Sequence, residues 1–123
     1  MKKILIIDDE PQILVVSAAR LKANGYTVVT ALAGEQGLEK ARKEIPDLIL
    51  LDHVMPEMDG GEVLDLLKKD PVTKHIPVVM FTADVNKVKI EDFRERGATD
   101  CLYKPFVPEE FLAKVKEVLG KKA

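Results

Sequence analysis

Cysteine is all but missing from this chain. Cys101 is the only one among 123 residues, which excludes an internal disulfide framework and a cysteine-cluster zinc site. Histidine is scarce too: His53 and His75 are too few for most histidine-based metal sites. Long apolar runs are lacking. Ile4 to Ile7 and Val78 to Phe81 are among the longest, far short of the ~20 residues a membrane-crossing helix needs. Met1-Lys2-Lys3 resembles the start of a signal peptide, but Asp8 and Asp9 end the apolar stretch too soon. The expected compartment is therefore the cytoplasm, where a lone thiol stays reduced. No charge of one sign dominates: 19 Lys plus Arg against 21 Asp plus Glu leaves −2. That balance argues against a general nucleic-acid grip, which needs a basic surface. No Walker-type or dinucleotide glycine-rich loop is present.

What is present is an ordinary globular composition, 46% hydrophobic and 33% charged. The length fits one domain spanning 1–123. A folded chain of this mass exposes roughly 6,600 Å² and buries about two thirds of its extended surface. Short aliphatic, β-branched runs alternate with charged stretches of helical length. The runs predict strands near 3–7, 26–31, 47–51, 77–81 and 100–103. Several are apolar on both faces, as in a parallel sheet covered on two sides. In the last helical stretch Phe111, Leu112, Val115, Val118 and Leu119 form an apolar stripe. Val63, Leu64 and Leu67 form another, whereas the fourth helix, Val88 to Arg96, has irregular spacing. Pro11 and Pro108 suit helix starts, Pro46 and Pro77 precede strands, and Gly25, Gly97 and Gly120 stand where helices should stop. The pattern predicts an α/β fold, a doubly wound (βα)₅ unit with a five-stranded parallel sheet. In such sheets function collects at the carboxyl ends of the strands.

Those ends carry chemistry. The first strand runs into Asp8-Asp9, the third into Asp52, the fourth into Thr82 and the fifth into Lys104-Pro105. Carboxylates ~5 Å apart repel by roughly 3 kcal/mol at an effective dielectric of 20. Three of them need cations nearby, and Lys104 with a divalent ion would neutralise them. The ligands are all oxygens, which favours Mg²⁺, or Mn²⁺, over zinc. A carboxylate can attack phosphorus to give an acyl phosphate. Phosphoryl transfer asks mainly for positioning and positive charge, which the metal, Lys104 and the Thr82 hydroxyl would supply. Ala83 is small and leaves room for the group. Each residue also has an ordinary reading: Asp8 or Asp9 as a helix cap, Asp52 as a loop acid, Lys104 as a solvated lysine, Thr82 as a cap. Their coincidence on four strands favours the functional one.

Ile6-Ile7-Asp8-Asp9-Glu10-Pro11, Leu50-Leu51-Asp52 through Asp59-Gly60, Phe81-Thr82-Ala83, Gly97-Ala98 and Lys104-Pro105-Phe106 closely resemble the receiver domain of two-component response regulators. The resemblance covers essentially the whole chain and implies the strand order 2-1-3-4-5 of the flavodoxin-like topology. It implies Asp52 as phosphoacceptor, with Asp9, Asp52 and the Val54 backbone carbonyl as Mg²⁺ ligands and Asp8 acting largely through water. Thr82, Ala83 and Lys104 would bind the phosphoryl group, and Lys104–Pro105 would be a cis peptide. A histidine kinase or histidine phosphotransfer protein would be the donor, with small acyl phosphates as substitutes. The output would be a shift of the fourth helix, fifth strand and fifth helix toward a downstream protein target, from a monomer or a phosphorylation-dependent dimer. Neither nucleic acid nor membrane is an expected partner.

Three positions depart from that family. Cys101 stands where a switch aromatic is usual, and Tyr103, two residues on and on the same strand face, is a candidate replacement. Val54 is apolar where fast-hydrolysing relatives often carry a polar group, which predicts a long-lived acyl phosphate. Gly61 replaces a commonly larger residue and reads as a flexible entry to the third helix. His53 reads as packing locally or pointing outward, His75 as solvated, and Met55 and Met58 as packing. Lys68-Lys69 and Lys121-Lys122 read as solvated helix ends. Three rival functions remain open. A Mg²⁺-dependent aspartyl phosphatase would hold its two acids on one strand separated by one residue. A flavin binder would need a hydroxyl- or glycine-rich loop after the first strand. A degenerate receiver would act only as a protein-docking module.

Overall fold

Four runs rich in aliphatic and β-branched residues and a fifth, shorter Asp-Cys-Leu-Tyr become the strands of one parallel sheet, and the charged stretches between them become helices. The computed structural model describes residues 1–83, 86–104 and 107–121. In chain order the elements are β1 (Lys3–Ile7), α1 (Pro11–Ala23), β2 (Thr27–Ala31), α2 (Gly34–Glu44), β3 (Leu48–Asp52), α3 (Gly60–Lys69), β4 (Val78–Thr82), α4 (Lys87–Glu95), β5 (Asp100–Tyr103) and α5 (Pro108–Lys121). The sheet order is β2-β1-β3-β4-β5, all parallel. Every residue of β3 and β4 is buried, as central strands covered on both faces should be. The accessible surface, 6667 Å², is that of a compact chain of this mass.

The period-two alternation of strand side chains divides the interior into two cores. Leu5, Ile7, Ile49, Leu51, Val78 and Met80 face α2, α3 and α4, where Ala41, Val63, Leu64, Leu67, Ile90 and Phe93 meet them. Ile4, Ile6, Leu48, Leu50, Val79 and Phe81 face α1 and α5, against Leu14, Leu21, Phe111, Val115 and Val118. Cys101 belongs to the first core and Leu102 to the second. This alternation decides which side of the rim each strand-end residue serves.

Helix ends mostly follow the local signals. Pro11 opens α1, and Asp59 caps α3 through a reciprocal capping box with Glu62. Gly25 and Gly97 adopt positive φ just past α1 and α4. Three readings change. Gly120 does not stop its helix but lies within α5. Lys68 is not a solvated helix end: its ammonium donates to the carbonyls of Ile76 at 2.7 Å and Lys74 at 3.0 Å. Burial pushes its pKa down. Gly61 is no mere flexible entry, because a side chain there would meet the Arg96 guanidinium at 2.8 Å. Arg96 bonds Asp65 through two nitrogens and Asp92 through a third contact, tying α3 to α4. Lys122 lies outside the described residues.

Candidate functional site

The carboxyl ends of β1, β3, β4 and β5 meet at one rim. Asp8 continues β1, its N–H donating to the Ala31 carbonyl, and its side chain is fully buried. Its Oδ1 accepts the Glu10 N–H at 3.0 Å. The α1 N-cap is Glu10, which makes no side-chain cap bond, so neither aspartate serves as that cap. Asp52, the last residue of β3, is buried. Lys104 reaches back from beyond β5, its Nζ 2.9 Å from Asp52 Oδ1 and 3.3 Å from Asp8 Oδ2. Asp8, Asp9, Glu10 and Asp52 each bring a carboxylate oxygen within 4.8 Å of the others.

Electrostatics at this rim are unfavourable by construction. Burial raises the Asp52 pKa to about 6, and the charges of Asp8 and Asp9 add to the rise, against the opposing pull of Lys104. Burial likewise raises Asp8, outweighing the Glu10 N–H and Lys104. For Lys104 burial works downward, but its bond to Asp52 and the two aspartate charges win and raise it. Asp8, Asp9, Glu10 and Asp52 against the one Lys104 ammonium leave an excess of three acids over bases. An all-oxygen donor set with that excess suits a hard divalent cation.

Around the acids lies a shallow depression of about 280 Å³, lined by Asp9, Glu10, Asp52, His53, Val54, Thr82, Ala83 and Lys104. Thr82 ends β4 and is buried; Ala83 is exposed beside it. Val54 is 72% exposed. The structure therefore gathers Asp8, Asp9, Asp52, Val54, Thr82, Ala83 and Lys104 at one place. Of the three proposed switch residues, Thr82 is at the rim, Tyr103 pairs with it in register and is 41% exposed, and Cys101 is buried one step below, paired with Met80. Pro105 lies outside the described residues, and the expected Lys104–Pro105 cis peptide with it.

Two neighbours complete the rim, Glu10, to which the sequence gives no role, and His53, for which it predicts local packing or an outward position. Glu10 joins the acid cluster and approaches Lys104 at 3.6 Å; its place directly after Asp8-Asp9 was the available signal. His53 packs locally, its Nδ1 3.0 Å from Thr82 Oγ1 and its ring edge-on to Phe93. Met55 and Met58 pack against the first core, and His75 is exposed, as expected.

A family model for the response regulator receiver domain matches residues 4–116. This chain belongs to the receiver domain family. The receiver is 42% identical over 123 residues to the alkaline phosphatase synthesis transcriptional regulatory protein PhoP of Bacillus subtilis, with 96% of this chain and 48% of that protein covered. It is 43% identical over 121 residues to the DNA-binding dual master transcriptional regulator RpaA of Synechocystis, covering 97% of this chain and 49% of that protein. The chain thus spans about half the length of the curated relatives it matches. Among solved structures, the chemotaxis protein CheY4 of Vibrio cholerae superposes with a TM-score of 0.91 at 35% identity, with 96% of this receiver and 98% of that chain covered. Membership of a response-regulator family makes the receiver a component of two-component signalling and not a conventional enzyme. No helix among the described residues is long and apolar enough to cross a membrane.

Proposed function

We propose that the receiver is a phosphorylation-dependent switch whose acceptor is Asp52. The observation that carries this reading is a buried carboxylate, at the end of a central strand, hydrogen-bonded to Lys104 and crowded by two further acids. An Asp52 oxygen attacks the phosphorus of a phosphohistidine on a histidine kinase or phosphotransfer protein. The phosphorus–nitrogen bond breaks, the imidazole nitrogen keeps the electron pair, and an acyl phosphate remains. With a pKa of about 6 the carboxylate is mostly ionised at neutral pH and able to attack. Lys104 orients it and then meets a phosphoryl oxygen; Thr82 donates its hydroxyl to another; Ala83 keeps the entry open. Asp8, Asp9, Asp52 and the Val54 carbonyl would hold Mg²⁺, or Mn²⁺. That ion would supply charge neutralisation for the incoming phosphoryl oxygens.

Val54 carries no polar group to orient water, so the acyl phosphate is long-lived. Val54→Asn should speed its loss by about tenfold, the worth of one hydrogen bond; an unchanged lifetime would count against this account. The signal leaves through α4, β5 and α5 to a downstream protein target, in the cytoplasm, from a monomer or a dimer formed on phosphorylation. The decisive experiment is intact-mass analysis after incubation with acetyl phosphate and Mg²⁺. Wild type gains one phosphoryl group, while Asp52→Asn and Asp52→Ala gain none; a mark that persists in both variants refutes the assignment. The missing ring at Cys101 favours a second reading, a docking module that takes up phosphate without changing shape. A chain that gains the mass but gives identical amide spectra with and without beryllofluoride would decide for it.

A further inference from the structure

His53 directly follows the proposed acceptor, yet it serves the other face of the sheet. Asp52 pairs with Phe81, and the His53 N–H continues the ladder by donating to the Phe81 carbonyl at 2.9 Å. His53 therefore stands beside Thr82 across the strands, on the face that packs against α3 and α4. Its Nδ1 lies 3.0 Å from Thr82 Oγ1. The same ring meets Phe93 of α4, with centroids 4.9 Å apart and planes at 81°. Phe93 is itself buried, and the Arg96 guanidinium lies 5.9 Å from its centroid. On β5, where the family usually sets an aromatic, Cys101 brings no ring to this core. One imidazole thus spans the distance between a rim hydroxyl and a core aromatic of α4.

We propose that His53 is the positioning residue that couples Thr82 to α4 through Phe93. The proposal rests on the receiver reading of Asp52. A hydroxyl owns one proton and two lone pairs. In the tautomer whose bare Nδ1 accepts the Thr82 hydroxyl, donating that proton to a phosphoryl oxygen on Asp52 leaves Thr82 able to keep the His53 contact only as an acceptor, from a different direction. The backbone of His53 cannot follow. Its N–H is held by Phe81, and its carbonyl accepts the Gly60 N–H at 2.7 Å. The ring must answer by turning about its side-chain torsions, and Phe93 lies against it.

The test compares wild type with His53→Ala and His53→Phe in two measurements. Intact mass after acetyl phosphate and Mg²⁺ reads the chemistry. Amide NMR with and without beryllofluoride and Mg²⁺ reads the response at Ile90 and Phe93. Wild type should gain the phosphoryl group and show displaced Ile90 and Phe93 amides. Both variants should gain the mass at rates within about twofold of wild type, while the displacement at Phe93 shrinks about fivefold or more. Phenylalanine restores a ring against Phe93 but not the bond to Thr82, so a response rescued by His53→Phe overturns the proposal. So does an undiminished response in either variant, or a loss of phosphoryl uptake itself. If His53→Ala does not fold, His53→Phe decides alone. A wild-type chain that gains no mass overturns the receiver chemistry and the relay together; mass gain with an unaltered variant response overturns the relay only.

Discussion

Lys104 and Lys114 each hold buried or half-buried aspartates, and the two clusters treat their acids in opposite ways. At the rim, Lys104 bridges Asp8 and Asp52, yet both acids are pushed up because burial and mutual repulsion outweigh one ammonium. Between α4, β5 and α5, Asp100 faces two cations, Lys114 and Arg94, while Glu117 stands 3.5 Å from Lys114 on its other side. Burial would raise it too, but it accepts Lys114 Nζ at 2.7 Å, the Cys101 N–H at 2.8 Å and Arg94 at 3.1 Å, and ends below its ordinary value. The same residue types give a strained cluster where several acids share one ammonium and a stabilising one where a single aspartate is shared by two cations. Charge stoichiometry, more than proximity to lysine, decides which acid is held above its ordinary value.

Asp52 should show the largest effect of the two clusters. Its raised pKa means the folded chain holds that proton more tightly than the unfolded chain. The cost is absent below the ordinary carboxylate value near 3.8, grows as pH rises, and is complete above about 6. Asp52→Asn should therefore raise stability by about 2 kcal/mol at pH 7.5 without divalent ions, and by almost nothing at pH 3.5. Urea unfolding at both pH values checks it; equal stabilisation at both would contradict the cause. Asp100 runs the other way. A depressed acid contributes above its unfolded value and loses that contribution as pH falls through its folded one. Asp100→Asn should cost about 1 kcal/mol at pH 7 and little in strong acid, in the same assay. Smallest is the exposed Arg42–Asp70 pair, with Arg42 60% exposed. Arg42→Gln should change stability by less than about 0.5 kcal/mol, and less still in high salt.

Much of this was legible from the chain alone. The strand boundaries fall within one residue of expectation, because the runs are short and apolar and most are bounded on one side by a proline, glycine or acid. The rim residues were legible because a parallel sheet sends every strand's carboxyl end the same way. What escaped depends on contacts across the fold. His53 meets Thr82 and Phe93 through a register and a helix that local pattern does not specify. Arg96 occupies the space over Gly61 from 35 positions away, a partnership no spacing rule encodes. Lys68 looks like any helix-end lysine until the loop after α3 folds its carbonyls over it. Ile45 and Glu57 take positive φ without the glycine or asparagine that would announce it.

Gly60 begins α3 hard against the peptide that joins Asp52 to His53, and a methyl group on it would collide with the Asp52 carbonyl oxygen. The helix can therefore act as a fixed backstop, leaning on the chain at the one spot where aim matters. Alanine at this position would leave every acid and cation of the rim in the sequence and still push the Asp52 carboxylate, the proposed nucleophile, off line, so that a single missing carbon sets the tolerance of the proposed switch.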